Sequence, residues 1–552
     1  MSNIAFDPTY IAKQRDDAPG APNPVPDGQA AQSARRAPGQ RSLSDKEREQ
    51  RQLALSGTVA DKTEATCDCS KVIHFSVFFD GTGNNRDQEM ARPADERALS
   101  NVAKLNDAHK FDASRGVVRQ YIPGVGTPYP EIGDKGGVIA MAIGKGGGER
   151  VKKALELLDD EIAKTPSQQK IRLINIAVFG FSRGAAQARA FVRDLAAACK
   201  IKDGAYVYKD LPLRVAFSGI FDTVCSAYDS VAQAAVSKNG GHNGWANGMD
   251  TPPMVEQSVH MMAAHEARIR FPLDSTRIDA AYPDNTIEIW YPGVHSDVGG
   301  GYSPGFQGRH NTVSRFALNE MFDIAFSAGV LFQRIDDLPG RVQDEFKKDD
   351  PQLREAFNAY LQAVPVKSGP MELVQAAHMG MLHRWLKVRV TREQPSDADT
   401  VLQDQKKTAK RARDNARRQV NDMVNSAGGW DNAMYTLTPA DQQRLAELQQ
   451  EAAAQHKKMS AADSALDDLN QESRKYQRDI QQILEKHRNG DALTLRERTI
   501  KEAWENTSPL PAAVEKFFDL FAHESIAHFN FDSSRLSDWR TIYFGDTKYS
   551  PS

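Results

Sequence analysis

Residues 171–191, IRLINIAVFGFSRGAAQARAF, pass from an apolar run through Gly180-Phe181-Ser182-Arg183-Gly184 into an alanine-rich run. The first part reads as a buried strand and the last as a helix, so Ser182 falls on the corner between them. Gly-x-Ser-x-Gly in that setting matches a nucleophile elbow. The small residues Gly184, Ala185 and Ala186 let the helix approach the strand, and the tight turn lifts the serine hydroxyl above the sheet. The backbone N–H of Arg183 then points into the same space as an oxyanion donor. The alternative is an ordinary strand-to-helix turn carrying a solvated serine.

Working outward, KVIHFSVFFDGTGNN (71–85) is a β-rich run closed by a Gly-Asn turn, and GERVKKALELLDDEIAK (148–164) has the periodicity of an amphipathic helix. Strand, helix, strand, helix is the order of a parallel α/β sheet. Two more runs, LRVAFSGIFDTV (213–224) and NTIEIWYPGVHSDVGGGY (285–302), predict strands that end in polar loops, where open α/β sheets hold their ligands. The expected fold is α/β-hydrolase-like: a mostly parallel sheet with helices on both faces, plus an inserted antiparallel helical hairpin.

A neutral serine needs a base held by an acid, and α/β-hydrolases place them in the order Ser, Asp or Glu, His. Asp222 stands at the end of VAFSGIFD and His295 follows IEIWYPGV, both at strand ends. Asp229 and Asp297 are alternative acids, Asp297 reading rather as a buttress of the glycine-rich loop. Among the other histidines, His260 and His265 are predicted in a helix (VEQSVHMMAAHEARIRF) and His242 in a Gly-Asn loop, while His523, the alternative base, and His528 lie in FAHESIAHF, which could return to the site from the C-terminal segment. FFDGTGNN lacks both GxGxxG and a Walker lysine, so it does not read as a phosphate cradle. Gly81 and Thr82 are instead expected to supply the second oxyanion N–H. Asp80 has no complete set of carboxylates around it, and neither a metal nor another cofactor is expected.

The rest of the 552 residues divides by composition. Residues 1–70 are rich in Pro, Gly, Ala and charge and predict a flexible arm. The catalytic core is placed at 71–330, and 331–399 is expected to be mostly helical with one short strand, LKVRVT. In 400–488 a 3-4 spacing of apolar residues from Leu445 to Ile483 predicts a long helix, capped by Thr438 with Pro439 at its first position. With the preceding segment it makes the hairpin, and 489–552 returns to the core. Lys and Arg number 70 against 73 Asp and Glu, a net charge of −3, which gives no global attraction to nucleic acid. The basic stretch KKTAKRARDNARR therefore reads as a solvated helix face. Four cysteines, Cys67, Cys69, Cys199 and Cys225, do not make a disulfide framework, and CDC lacks the usual zinc spacer. Neither a secretory signal nor a run of ~20 apolar residues is visible, so synthesis and folding in the cytoplasm are expected.

The blocks VFFDGTGNN, GFSRGAAQARAF and WYPGVHSDVGGGY together resemble the DUF2235 family, and specifically Tle1-type phospholipase effectors of bacterial type VI secretion. YIPGVGT, FSGIFDTV and HMMAAHEARIRF resemble further blocks of that family in the same order. The resemblance covers roughly residues 71–330. It implies hydrolysis of acyl esters of membrane glycerophospholipids, with Ser182 as nucleophile, Asp222 as acid and His295 as base. It also implies delivery into a neighbouring cell's periplasm, a VgrG spike as carrier and a cognate immunity protein. One departure is His265, where the family usually has an aspartate before the glutamate. A lid or apolar patch is expected for a lipid substrate, with GVIAMAIGKGGG and the aromatic C-terminal segment as candidates.

Overall fold

The computed structural model describes residues 37–59, 70–137, 140, 143–166, 169–228, 241–278, 281–392, 394–526, 534–544 and 547–549. Its centre is an eight-stranded, mostly parallel sheet. In chain order its strands are β1 (Ser70–Phe79), β2 (Val117–Ile122), β3 (Lys170–Phe181), β4 (Lys200–Lys202), β5 (Ala205–Tyr208), β6 (Leu211–Phe221), β7 (Ser258–Ala263) and, after the separate β8 (Leu273–Ser275), β9 (Thr286–Tyr291). The order across the parallel part is β2-β1-β3-β6-β7-β9, while β5 pairs antiparallel with the start of β6 and β4 antiparallel with β5. Short strands β10 (Ile542–Phe544) and β11 (Thr547–Tyr549) join β8 in a three-stranded sheet.

Both faces of the main sheet are covered, as a parallel sheet requires. On β1, Ile73, Phe75, Val77 and Phe79 face one layer while Phe78 faces the other, the period of two that strand geometry imposes. The first layer is built from the helices Gly147–Ala163 and Arg183–Ala198, the second from Asn101–Ala108, Ser314–Ser327 and the segment around Phe517–Phe521. The helices used below are α1 (Asp45–Val59), α2 (Arg183–Ala198), α3 (His295–Gly299), α4 (Met371–Thr391), α5 (Asp397–Ser426) and α6 (Pro439–Arg488).

The hairpin consists of α5 and α6, which pack antiparallel with their own small cores. Ala416, Val420 and Val424 meet Leu445, Leu448 and Ala452, and Leu402 meets Ala462, Ala465 and Leu469. Thr438 caps α6 by accepting the Asp441 N–H at 3.2 Å. Among the described residues no helix is long and apolar enough to cross a membrane.

Several expectations fail for physical reasons. Residues 37–59 are not a free arm: Arg41 N–H donates to the Glu256 carbonyl, its guanidinium pairs with Glu47, and Ala54 of α1 is buried. Residues 1–36 and 60–69 lie outside the described residues. LKVRVT is the last part of helix α4, because its apolar positions continue the buried face of Val374, Met381 and Trp385, and packing overrides the local β propensity. His260 lies on the central strand β7, not on a helix; a short, fully buried apolar run has no period that separates the two. The C-terminal aromatics Phe517, Phe518 and Phe521 are core, not lid, and Val138, Ile139, Met141 and Ala142 of GVIAMAIG lie outside the described residues.

The two glycines of the elbow are required by close approach. A Cβ on Gly184 would sit 2.3 Å from the Phe79 carbonyl and 2.4 Å from that of Asp80, and one on Gly180 would sit 2.4 Å from the Gly184 carbonyl. All these neighbours are backbone. Gly184→Ala is expected to destabilise the protein by about 1–3 kcal/mol in denaturant unfolding. Gly340→Ala, where nothing lies within 4 Å, is expected to change it by less than about 0.5 kcal/mol.

Candidate active site

β3 ends at Phe181 and α2 begins at Arg183, which leaves Ser182 between them at φ 59° and ψ −127°. A non-glycine residue in that region carries roughly 1–3 kcal/mol of strain. Its backbone is held on both sides. Ser182 N–H donates to the Phe221 carbonyl at 3.0 Å, and the Ser182 carbonyl accepts from Ala185 N–H at 3.0 Å and Val224 N–H at 3.3 Å. The serine corner is thereby bonded to the end of β6, where Asp222 sits.

Asp222 is fully buried and its carboxylate is saturated. Oδ1 accepts from Ala263 N–H at 2.8 Å and from Arg540 at 2.7 Å; Oδ2 accepts from the other Arg540 nitrogen at 2.7 Å and contacts His295 Nδ1 at 2.6 Å. Burial alone would push this carboxyl up, but the Arg540 guanidinium and the His295 hydrogen bond hold it well below the usual carboxylate range. An ionised Asp222 makes His295 Nδ1 the protonated nitrogen and leaves Nε2 as an acceptor. Burial lowers the pKa of His295, against the pull of Asp222, so the neutral ring predominates at neutral pH.

His295 opens the short helix α3 and is fixed by more than its acid. Its N–H donates to Glu266 Oε2 at 3.2 Å. Glu266 is gripped by Arg268 at 2.7 and 2.8 Å and accepts the Ser525 hydroxyl at 2.7 Å. Burial raises the Glu266 pKa, but Arg268 outweighs it and brings the carboxyl down to about 2. The imidazole packs against Phe181, with ring centres 4.6 Å apart, and against the edge of Phe271 at 5.0 Å. Among the described residues no hydrogen bond joins the Ser182 hydroxyl to this ring; in the free state such contacts commonly await the substrate.

The loop after β1 differs from expectation in one donor. Gly81 N–H is taken by Asp80 Oδ1 at 2.7 Å, while Tyr121 donates to Asp80 Oδ2 at 2.5 Å. Burial pushes the Asp80 carboxyl up to about 6, against these hydrogen bonds. Asp80 thus shapes the loop, and Gly81 cannot offer its N–H to a substrate without breaking that bond. The next residue, Thr82, accepts Arg183 Nε on its hydroxyl at 2.7 Å, which ties the loop to the start of α2.

The other candidates go elsewhere. His523 pairs with Asp297, not Asp222: Nδ1 lies 2.6 Å from Oδ1, and the His523 N–H donates to Oδ2 at 2.9 Å. Asp297 also accepts the Val294 N–H at 3.0 Å. His260 accepts the Thr223 N–H on Nε2 and lies 2.8 Å from Glu288 through Nδ1. His265, at the position where an acid was expected, accepts the Gly293 N–H at 3.0 Å and meets Tyr360 on its other nitrogen. His242 contacts Asp274. Asp229 and His528 lie outside the described residues. Sequence reasoning missed Arg540, which sits in LSDWRTIYF with no local pattern to mark it, and the clamp of Glu266 by Arg268 and Ser525. For Glu266 the alternating charges in HEARIR were a weak signal.

Residues 74–206 and 200–324 match the family model described as the catalytic domain of the Tle1-like phospholipase effector of the type VI secretion system. A crystal structure of an uncharacterised protein from Pseudomonas aeruginosa superposes with a TM-score of 0.63 at 21% identity, over 94% of this chain and 85% of that one. That likeness is one of fold. A structure of the Tle1 effector bound to the VgrG spike aligns with a TM-score of 0.39 at 19% identity, over 58% of this chain and 86% of that chain. No curated protein sequence matches the chain significantly.

Removing Arg540 leaves a buried carboxylate without its counter-charge. Arg540→Ala is expected to cost about 3–5 kcal/mol in urea unfolding, and Arg540→Lys less. Because the Asp222 pKa is depressed on folding, its stabilisation is present above about pH 4 and is lost as pH falls toward the folded value. Arg540→Ala is expected to move acid unfolding to higher pH, measured by circular dichroism across a pH series.

Proposed function

With a Tle1-like catalytic domain across residues 74–324 as the premise, we propose that this protein is a type VI secretion phospholipase effector. It hydrolyses acyl esters of membrane glycerophospholipids through Ser182, His295 and Asp222. The observation that carries the reading is the 2.6 Å Asp222–His295 contact on a strand end bonded to the strained serine corner.

In the proposed reaction Ser182 Oγ attacks the ester carbonyl carbon and gives its proton to His295 Nε2. Asp222 keeps the other ring nitrogen protonated and stabilises the imidazolium. The oxyanion is received by the N–H groups of Arg183 and Thr82; the Gly81 N–H stays with Asp80. Arg183 stands at the first position of α2, directly after Ser182. Collapse of the tetrahedral intermediate breaks the ester bond, and the lysophospholipid leaves with the proton from His295. Water then adds to the acyl-enzyme by the same route, releasing fatty acid and restoring Ser182. A spike protein as carrier, an immunity protein and the target-cell periplasm as site of action belong to the same proposal, on the strength of the family match and the sequence blocks.

Ser182→Ala is expected to lower kcat/KM on phospholipid vesicles by on the order of 10³-fold or more while leaving the unfolding midpoint within a few degrees. Product analysis by mass spectrometry, with a soluble short-chain ester in parallel, checks this. Turnover of the soluble ester alone would overturn the phospholipase reading and leave a serine esterase. Since the base works in its neutral form and its pKa is lowered, the acid limb of kcat/KM is expected below pH ~6.5.

A further inference from the structure

Cys225, His242 and Asp274 converge from three separate segments, with ligand atoms all within 4.8 Å of one another. Cys225 follows β6, Asp274 lies on β8, and His242 comes from the loop that leads to β7. The Cys225 residue is fully buried, and only 8% and 3% of the His242 and Asp274 side chains are exposed. None of the three takes part in the proposed hydrolysis. We propose that they form a binding site for one borderline divalent cation such as zinc, independent of the catalytic reading.

The donor set selects the ion. A thiolate and an imidazole suit zinc or cobalt(II), whereas calcium and magnesium take oxygen ligands. One sulfur, one nitrogen and one carboxylate fill three positions of a tetrahedron and leave the fourth to water. The separation requires a contraction of about 1 Å to reach the ~3–4 Å ligand spacing of such a site. Charge also balances: on binding, the Cys225 thiol releases its proton to solvent, and thiolate plus carboxylate neutralise the divalent ion in a buried place.

The consequence would be structural. Cys225 N–H donates to Asp274 Oδ2 at 2.9 Å, and Asp274 N–H donates to the Thr223 carbonyl at 3.0 Å, one residue from Asp222. Strand β8 pairs with β10, which begins two residues after Arg540, and the Tyr543 ring of β10 lies 4.7 Å from the His242 ring. An ion here would clamp the loop that follows Asp222 to β8, the strand whose partner β10 begins two residues after Arg540.

The test uses the full-length protein with Cys67→Ser and Cys69→Ser, stripped with a chelator and titrated with cobalt(II) and then zinc. The expected result is one equivalent bound, a near-ultraviolet thiolate-to-cobalt absorption that zinc bleaches, and a raised unfolding midpoint. All three should be lost in Cys225→Ser and, separately, in His242→Ala, each shown to be folded by circular dichroism. No thiolate absorption in the parent, or an absorption that survives Cys225→Ser, overturns the site.

Discussion

The carboxylate of Asp222 is the constraint around which the site is built. A charge removed from water needs hydrogen bonds on every lone pair, and this one has four, from Arg540, Ala263 and His295. Meeting that need brings residue 540 against residue 222, closes the three-stranded sheet of β8, β10 and β11, and leaves His295 with one defined tautomer. Buried ion pairs of this kind contribute little net stability, because desolvation offsets the attraction. What the arrangement secures is the position and charge of the histidine's partner.

Around it lies a shell of further histidine contacts: His260 with Glu288, His265 with Tyr360, His378 with the same Tyr360 hydroxyl, and His523 with Asp297. Each ties two chain segments by a directed bond where an apolar contact would leave the angle loose. His260 anchors the loop directly after Asp222, His265 holds Gly293 ahead of His295, and His523 holds Asp297 behind it. His295 differs from these in its place, at a sheet edge next to the serine corner. The chemistry of a buried imidazole is set by where its second nitrogen faces, so pairing with an acid alone does not mark a base.

The hairpin obeys a different economy. α6 spans 50 residues, and α5 and α6 bury only narrow apolar seams of their own. Its base enters the main core through Tyr476, Ile480 and Ile483 and adds polar contacts, Tyr476 with His383 at 3.0 Å and Asp479 with Arg535 and Ser537. Its far end exposes Trp430, Met434 and Tyr435. Core and hairpin are therefore joined at this base by apolar packing as well as by directed bonds.

Local patterns carried much of this protein. The Gly-x-Ser-x-Gly corner was legible because backbone approach at Gly180 and Gly184 tolerates no side chain, and the strand ends at Asp222 and His295 because apolar runs stop there. The long helix α6 was legible from its spacing and its Thr-Pro cap. The strand nature of Ser258–Ala263 and the helical continuation of α4 were not, because both depend on which neighbours cover them. Arg540 at Asp222, Asp80 taking the Gly81 N–H, and the choice of Asp297 by His523 belong to tertiary structure alone. Those partners stand up to 318 residues apart, and a hydrogen bond depends on distance and angle, which no sequence interval contains.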